Sequence, residues 1–393
     1  MAEYLTLDDV PLADRKVLVR SDLNVPIDEG RVVDDFRIRM ALDTIERLRS
    51  AGASVAVCSH LGRPKGPDPA FSLAPVAQRM QEVGGFAVRF VEAVVGREVD
   101  EAVASSGPGD VILLENTRFE SGETNNDADL ADRLAAPFDL FVQDAFGSVH
   151  RAHASTAGVA ERLQSVAGPL LVSELESLGK FLGAPERPYV VVLGGAKVSD
   201  KLGVIKNLLP TVDTMLIGGG MCFTLLAARG HEVGDSMLQE DQIEEVRAIL
   251  DGPQGDRIRL PDDIVAADSF AEDAPAEVVP ATSIPDGRVG LDIGPDTAAS
   301  FGETIRGARS VFWNGPMGVF EWERFRAGTE AVARSMAECE GFTAVGGGDS
   351  ASALAMFGLE DRVSHLSTGG GAGLELLEGE DLPGVAALRR WAS

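Results

Sequence analysis

The most constraining feature of this sequence is the passage from Tyr189–Leu193 into the segment Gly194–Lys201, which reads GGAKVSDK. Tyr189–Leu193 is a short apolar run, mostly β-branched, that ends in two glycines, which predicts a buried strand rather than a helix. Gly194–Lys201 is therefore predicted to be a strand-to-helix turn, where glycines let a ligand approach the backbone and free N–H groups favour an anion. The helical spacing that follows is carried by Val198, Leu202, Ile205 and Leu209.

Two lysines, Lys197 and Lys201, stand out within that turn. The chain contains only six lysines, and these two lie four residues apart, so they are expected to project from neighbouring turns on one helix face. Two lysines beside a glycine turn are suited to holding an anion. An ordinary turn with two solvated lysines is the alternative on this stretch alone.

The same alternation of apolar run, loop and helical spacing fills the rest of the chain, and the 44 glycines are spread along it. It predicts an α/β fold in which a mostly parallel sheet is doubly wound. Asp34 and Asp35 are candidate caps for the first helix. The helices predicted in the first half are Phe36–Ser50, Leu73–Val83 and Ala128–Ala135. The strands predicted there are Lys16–Arg20, Ala53–Cys58, Phe86–Phe90, Val111–Leu114 and Leu140–Val142.

A second α/β series begins at Tyr189. It follows a predicted helix at Ser173–Leu182 and two prolines, Pro185 and Pro188, which disfavour helix continuation. We therefore expect a first domain over residues 1–172, a connecting helix over 173–185, a second domain over 186–381 and a C-terminal segment over 382–393. Further strands of the second domain are predicted at Thr214–Ile217, Val289–Ile293, Ser310–Trp313, Thr343–Val345 and Val363–Leu366.

The chain is strongly acidic, with 35 Lys and Arg against 62 Asp and Glu and a net charge of −27. Nucleic acid and anionic membranes are therefore poor partners. The three cysteines are scattered, and the sequence has neither an apolar stretch of the ~20 residues that span a bilayer nor a signal-peptide core. These features favour a cytoplasmic protein. Dispersed acidity with few lysines is typical of adaptation to high salt, and an acidic mesophile protein is the alternative. A melting temperature that rises with potassium chloride would favour the first reading.

Four glycine-rich loops follow predicted strands of the second domain: GGGM (218–221), NGPMG (314–318), GGGDS (346–350) and TGGGAG (368–373). Open α/β sheets bind ligands at such loops, so together they indicate a nucleotide site. Asp349 could hold Mg²⁺ or cap a helix that begins near Ala351, and Glu321 could accept hydrogen bonds from a sugar. No GxxxxGK[ST] or GxGxxG motif is present, which disfavours a Walker-type ATPase and a dinucleotide-binding dehydrogenase.

Basic residues, rather than glycines, follow the predicted strands of the first domain. Because strand ends converge on one edge of such a sheet, these residues would form an anion pocket suited to phosphate and carboxylate. Solvated loop arginines are the alternative, and a zinc site at His150 and His153 is opposed by the arginine between them. The basic residues are Arg37, His60, Arg63, Arg118, His150, Arg151 and His153.

Together these segments closely resemble one family, phosphoglycerate kinase. The matching motifs run in family order across nearly the whole chain, and their number makes chance agreement negligible. They are VRSDLNVP (19–26), DDFRIR (34–39), SHLGRP (59–64), LLENTRF (113–119), DAFGSVHRAHAST (144–156), GGAKVSDK (194–201), GGGM (218–221), GLDIGP (290–295), WNGPMGVFEW (313–322), GGGDS (346–350) and STGGGAGLELLEG (367–379).

The resemblance implies reversible phosphoryl transfer between 1,3-bisphosphoglycerate and MgADP, giving 3-phosphoglycerate and MgATP, by direct in-line transfer after two Rossmann-like domains close. It implies that Arg37 and Lys197 are catalytic, that Asp349 serves Mg²⁺ through the nucleotide complex, and that the protein is a monomer whose C-terminal segment packs on the first domain. The 3-phosphoglycerate site would comprise Asp22, Leu23, Asn24, Arg37, His60, Leu61, Gly62, Arg63, Arg118 and Arg151. The nucleotide site would comprise Gly195, Ala196, Lys197, Lys201, Gly219, Gly290, Asn314, Phe320, Glu321, Gly347, Gly348, Asp349 and Ser350.

Two positions depart from the family pattern. Ser350 stands where threonine is common, which keeps the hydroxyl, and Gly373 stands where serine is common, which puts a hydroxyl role there in doubt. A regulatory nucleotide-binding protein that has lost catalysis is the rival from another class. It is disfavoured because Arg37, Lys197 and Asp349 are all present.

Overall fold

The computed structural model describes residues 4–392, which divide into two compact units. Unit 1 comprises Met1–Glu176 and Asp381–Ser393, and unit 2 comprises Ser177–Glu380. Each unit is built around one six-stranded sheet in which every pair of neighbouring strands is parallel. The α/β fold with parallel sheets is thus confirmed.

The sheet of unit 1 has the order β5-β6-β4-β1-β7-β8. The chain starts in the middle, moves to one edge and then returns to fill the other, which is the topology of a doubly wound sheet. The strands of this half are β1 (Lys16–Arg20), β2 (Ile27–Asp28), β3 (Arg31–Val32), β4 (Ser54–Cys58), β5 (Val88–Val91), β6 (Val111–Leu114), β7 (Leu140–Gln143) and β8 (Ser165–Ala167). The helices are α1 (Phe36–Ser50), α2 (Ala74–Gly84), α3 (Arg97–Ser105) and α4 (Ala128–Ala135).

Helix α1 has the predicted bounds, but the two candidate caps behave differently. The backbone N–H of Phe36 donates to Asp34 Oδ1 at 2.9 Å. Asp35 occupies the N-cap position without a capping bond, and its carboxylate instead pairs with Arg39 at 2.7 Å and Arg79 at 2.6 Å. A tertiary ion pair has therefore displaced the local cap at Asp35.

Helix α5 (Pro169–Leu182) begins four residues before the predicted start at Ser173, and its residues divide between the two units. The reason for the early start lies far away in sequence, because Asp144 Oδ1 accepts from the backbone N–H of Leu170 at 2.9 Å. Pro169 suits the first helical turn because its missing N–H is not needed there. In unit 2, Phe181 of this helix stacks on Tyr189 with ring centroids 5.6 Å apart.

The sheet of unit 2 has the order β12-β10-β9-β17-β18-β19 and is doubly wound in the same way around β9. Its elements are α6 (Leu202–Leu208), α7 (Cys222–Ala228), α8 (Ile243–Leu250), α9 (Pro295–Arg306), α10 (Ala327–Glu338), α11 (Gly348–Phe357) and α12 (Gly371–Leu377). The strands are β9 (Tyr189–Leu193), β10 (Thr214–Ile217), β11 (Glu232–Val233), β12 (Ile258–Arg259), β13 (Asp263–Ala267), β14 (Ala276–Pro280), β15 (Ser283–Ile284), β16 (Val289–Ile293), β17 (Ser310–Asn314), β18 (Phe342–Gly346) and β19 (His365–Leu366).

The strand predicted at Val289–Ile293 exists, but it lies outside the parallel sheet. As β16 it pairs antiparallel with β13, which also pairs antiparallel with β14. The residues of this mostly buried strand do not reveal which sheet it joins, so the sequence pattern placed it in the main series. The central strands β9 and β17, in contrast, are buried at every position, as expected for a sheet covered on both faces.

The last helix, α13 (Pro383–Arg389), belongs to unit 1. The N–H of Gly384 donates to the carbonyl of Val149 at 2.8 Å, and the indole of Trp391 donates to the carbonyl of Ala160 at 2.7 Å. These bonds fix the C-terminal segment against the loop that follows β7. None of the helices formed by residues 4–392 is long and apolar enough to cross a bilayer.

Candidate active site

The first candidate site lies where β1, β4, β6 and β7 end in unit 1. These four strands are neighbours in the order β6-β4-β1-β7, so the loops after them are side by side. The winding of the sheet reverses between β1 and β7, which is where doubly wound sheets bind ligands. Asn24 Oδ1, after β1, accepts from the N–H of Gly62, after β4, at 2.9 Å. The predicted segments 22–24 and 60–63 are therefore joined directly.

Arg37 enters this site from the start of α1. Its Nη1 lies 2.8 Å from Asp22 Oδ2, while Asp22 Oδ1 is buried and has no hydrogen-bond partner among the described residues. The pair leaves one carboxylate oxygen ready to accept from a ligand hydroxyl. The guanidinium of Arg37 is one-third exposed, so it can still reach a ligand.

His60 is buried and surrounded by cations. Burial, followed by the charges of Arg20, Arg118, Arg151 and Arg37, lowers its pKa well below the usual value, so the ring is neutral near pH 7. Three of these arginines were predicted from the sequence. Arg20 was not, because it occupies the last position of the apolar strand β1 and is itself 1% exposed.

Arg118, the partly buried member of this group, shows that the cations are not balanced locally. Desolvation and the charges of Arg151 and Arg20 lower its pKa, which is the signature of crowded positive charge. Its Nη1 donates to the carbonyl of Gly62, and its buried Nε has no partner among residues 4–392. Within the same range, Arg63, Arg118 and Arg151 form no ion pair with a carboxylate. The site is therefore built for an anionic ligand.

The second candidate site lies in unit 2, where β9, β10 and β17 end and the winding of the sheet reverses between β9 and β17. Three glycine loops interlock there through backbone bonds alone. The N–H of Gly195 donates to the carbonyl of Pro316 at 2.9 Å, that of Gly219 to Met317 at 3.1 Å, and that of Met221 to Gly195 at 3.0 Å.

Glycine is required in these loops. Gly195, Gly219 and Gly315 have φ of 95°, 64° and 94°. A residue with a side chain is strained at such positive φ values, whereas glycine is not. A Cβ at Gly219 would lie 2.5 Å from the backbone nitrogen of Gly195 and 2.7 Å from the carbonyl oxygen of Pro316. The loops thus form a surface of backbone atoms that a ligand can approach closely.

A polar cavity of about 370 Å³ borders this surface. The amine of Lys201 donates to Asn314 Oδ1, and burial lowers the pKa of Lys201 to about 8 despite the nearby carboxylates of Asp200, Asp349 and Glu378. The hydroxyl of Ser350 accepts from the N–H of Gly315 at 2.7 Å. The predicted residues lining this cavity are Gly195, Ala196, Lys197, Lys201, Asn314, Gly347, Gly348, Asp349 and Ser350.

An apolar cavity of about 250 Å³ adjoins the polar one, and the two share Gly195, Ala196 and Asp349. The predicted residues Gly219, Gly290 and Glu321 also line it. Sequence reasoning missed its apolar walls, which come from separate segments and carry no motif of their own: Phe223, Met237, Ile264, Phe270, Leu291 and Met317. A slot with apolar walls beside a lysine-containing cavity fits a flat ring joined to an anionic group.

Phe320 is buried in the hydrophobic core of unit 2, and its neighbour Val319 lines the apolar cavity, so the assignment of Phe320 to the nucleotide site stays a prediction. Two other expectations need correction. Lys197 and Lys201 do not share a helix face, because Val198–Asp200 is a short 3-10 turn and α6 begins only at Leu202. Asp349 does not cap α11, because Gly347 is the N-cap and Asp349 lies in the first turn.

Histidine and acidic side chains do not gather into a metal cage anywhere in residues 4–392, where no three His, Cys, Asp or Glu groups lie close enough to hold an ion. Near the suggested zinc site, His153 Nδ1 lies 3.8 Å from Glu123 Oε1. Burial is the main cause that lowers the pKa of His153 to about 4. Asp349 is exposed at the junction of the two cavities, which suits a cation brought by a ligand rather than one held by protein alone.

Comparisons of the sequence with a family model and with known proteins all point to the same family. The model of the phosphoglycerate kinase family matches residues 7–380. The phosphoglycerate kinase of Salinispora arenicola is 57% identical over 394 residues, with 98% of each chain covered. That of Deinococcus radiodurans is 53% identical over 386 residues, covering 97% of this chain and 94% of the relative.

Solved structures agree. The structure of phosphoglycerate kinase from Coxiella burnetii is 39% identical, has a TM-score of 0.91, and covers 99% of this chain and 100% of its own. The crystal structure of phosphoglycerate kinase from Pyrococcus horikoshii is 30% identical with a TM-score of 0.87, and 99% of each chain is covered. The chain belongs to the phosphoglycerate kinase family, that is, to the kinases that transfer a phosphoryl group to a carboxylate.

Proposed function

We propose that the protein catalyses reversible phosphoryl transfer between 1,3-bisphosphoglycerate and MgADP, giving 3-phosphoglycerate and MgATP. The observation that carries this proposal is the division of chemistry between the units. Unit 1 holds three arginines, Arg63, Arg118 and Arg151, that form no ion pair with a carboxylate of residues 4–392. Unit 2 holds an apolar slot beside a lysine-containing cavity. The first suits a phosphorylated acid and the second suits a nucleotide.

The acceptor binds in the cationic site of unit 1. Arg63, Arg118 and Arg151 offer guanidinium groups for bidentate contacts to phosphate and carboxylate oxygens. Asp22 Oδ1 is buried without a partner, so it is placed to accept from the hydroxyl of the glycerate. The residues of segments 22–24 and 60–63 complete the walls.

The nucleotide binds in unit 2, with its base in the apolar slot and its phosphates over the glycine loops. Backbone N–H groups at the start of α11 and the amine of Lys201 face anionic oxygens there. Asp349 would hold Mg²⁺ together with those oxygens, since Mg²⁺ favours one or two carboxylates plus substrate phosphates. The ion, when bound, neutralises charge on the phosphates.

Transfer needs positioning and charge stabilisation rather than a protein nucleophile, because the transferred group passes through a loose transition state. Lys197 from unit 2 and Arg37 from unit 1 are the catalytic pair in this proposal. The two substrates bind to different units, and direct transfer requires reacting atoms about 3–3.5 Å apart. We therefore propose that the units close before an in-line transfer.

A coupled assay for ATP formation from 1,3-bisphosphoglycerate and MgADP tests the proposed reaction. No turnover in a folded protein that still binds MgADP would favour a regulatory nucleotide-binding protein instead. Small-angle scattering on the same preparation tests closure, which predicts a smaller radius of gyration with both substrates than with either alone. Equal radii in the free, singly bound and doubly bound states would contradict it.

Lys201 gives the proposal a pH signature. Its pKa of about 8 in the free protein lies below the usual 10.5, so near pH 8.5 the amine is mostly neutral. Bound phosphate oxygens favour the charged form and raise this pKa, so MgADP binding at pH 8.5 is expected to take up roughly half a proton or more.

Calorimetry in buffers of different ionisation enthalpy measures this uptake. Lys201→Met should abolish it. Lys206→Met should not, because Lys206 lies on the helix that begins directly after Lys201 and pairs with Glu245 at the surface. The uptake should also disappear at pH 6.5, where Lys201 is already charged in the free protein. Uptake that persists in Lys201→Met would assign the proton to another group.

A further inference from the structure

Arg20 is a fully buried cation whose guanidinium contacts four groups. Its Nη2 approaches His60 Nδ1 at 3.0 Å and Ser148 Oγ at 3.4 Å, its Nη1 donates to the carbonyl of Ser21, and its Nε donates to Ser155 Oγ at 3.0 Å. The side chain is 1% exposed, so it does not bind ligand from the solvent side. Its position is set by the groups behind it.

Behind Arg20 lies a chain of two completely buried residues, Ser155 and Glu123. The hydroxyl oxygen of Ser155 accepts from Arg20, so its own proton goes to Glu123 Oε1 at 2.5 Å. The other carboxylate oxygen, Oε2, accepts from the backbone N–H of Ser155 at 3.0 Å. Both oxygens of Glu123 are therefore used, and the direction of every bond in the chain is determined.

The tautomer of His60 follows from the same chemistry. A guanidinium can only donate, so His60 Nδ1 must accept and carries no proton. The ring is neutral because burial and the charges of Arg20, Arg118 and Arg151 disfavour imidazolium. The single proton is therefore on Nε2, which makes that nitrogen a donor.

We propose that Glu123 and Ser155 are positioning residues: they hold Arg20 against His60 and thereby fix His60 as the Nε2–H tautomer that donates to the anionic acceptor. The role of the donor rests on the proposed function, whereas the tautomer and its cause do not. A neutral donor adds a directed hydrogen bond among guanidinium groups without adding another charge to their mutual repulsion.

The tautomer can be read in the ligand-free protein by long-range ¹H–¹⁵N spectra of ¹⁵N-histidine-labelled samples, with His60 assigned by comparison with His60→Gln. We expect an acceptor-type Nδ1 and a protonated Nε2 from pH 6 to 8. A protonated Nδ1, or a doubly protonated ring at pH 6, would overturn the proposal. This result does not depend on catalytic activity.

Ser155→Ala removes the link between Glu123 and Arg20, and is expected to convert His60 to a mixture of tautomers. Ser165→Ala is the matched control, because Ser165 is an equally buried serine of unit 1. Within residues 4–392 its hydroxyl donates only to the backbone carbonyls of Ala160 and Leu163. A pure Nε2–H tautomer retained in Ser155→Ala would show that the chain behind Arg20 does not position His60. If Ser155→Ala folds poorly, Ser155→Thr keeps the hydroxyl and should retain the wild-type tautomer.

Kinetics supply the second readout. Glu123→Gln and Ser155→Ala should raise KM for 3-phosphoglycerate about tenfold or more, the scale of one charge-assisted hydrogen bond, and leave KM for MgATP unchanged. Ser165→Ala should change neither constant. Equal increases in both KM values would indicate general damage and count against a positioning role.

Discussion

Replacing Lys197 with alanine is expected to lower kcat by about a hundredfold or more, the scale of losing one electrostatic stabiliser of a transition state. Lys197 is exposed at the edge of the polar cavity and forms no ion pair or side-chain hydrogen bond with any residue between 4 and 392. Its removal should therefore leave the melting temperature nearly unchanged. Steady-state kinetics with both substrates saturating measures the effect.

The matched control is Lys206→Ala, since Lys206 lies on the following helix and pairs with Glu245 at the surface. It should retain kcat within about twofold, as expected for an exposed ion pair. Wild-type turnover in Lys197→Ala would remove this lysine from the catalytic pair. Arg37→Ala is a less clean test, because it also leaves the partly buried carboxylate of Asp22 without its cation.

Replacing Gly219 with alanine is expected to destabilise unit 2 by about 3 kcal/mol or more, by combining a strained left-handed φ with overpacking. The three atoms nearest to the new methyl group would all be backbone atoms, at 2.5 and 2.7 Å in Gly195 and at 2.7 Å in Pro316. These loops are held to each other by backbone hydrogen bonds, so their atoms cannot rotate away as a side chain can. Urea unfolding monitored by circular dichroism measures the loss.

Gly287→Ala separates the two causes. Gly287 has a similar φ of 75°, but a Cβ there would meet nothing within 4 Å. It should cost only about 1 kcal/mol, the penalty of the left-handed conformation alone. Equal losses in the two variants would show that the contact between the loops is unimportant.

Local patterns predicted much of the fold because the parallel sheets are buried on both faces. A short β-branched run such as Tyr189–Leu193 leaves few alternatives to a buried strand, and the observed bounds agree. Where distant groups decide, the pattern failed. The start of α5 depends on Asp144, and the pairing of Val289–Ile293 depends on β13, neither of which is visible in the local sequence.

The residues of the candidate site likewise fall into those that the sequence could predict and those that it could not. Charged residues and glycines in loops carry a chemical signal, so Arg118, Lys201 and Asp349 could be named from the sequence. Arg20 lacked that signal because it ends an apolar strand, although a charge in such a place is itself unusual. The apolar slot was not predictable, since Met237 and Phe270 resemble any other hydrophobic residues until the chain brings them together.

The interlocked glycine loops have a genetic consequence. A harmful substitution in a protein core can often be suppressed by a smaller residue across the contact, because the partner has side-chain atoms to lose. The nearest atoms to a methyl group at Gly219 are backbone atoms of Gly195 and Pro316. Every amino acid has these backbone atoms, so no substitution at those two positions can remove them. Selection for revertants of Gly219→Ala should therefore yield restoration of glycine at 219 or stabilising changes elsewhere, and no suppressor at the touching positions.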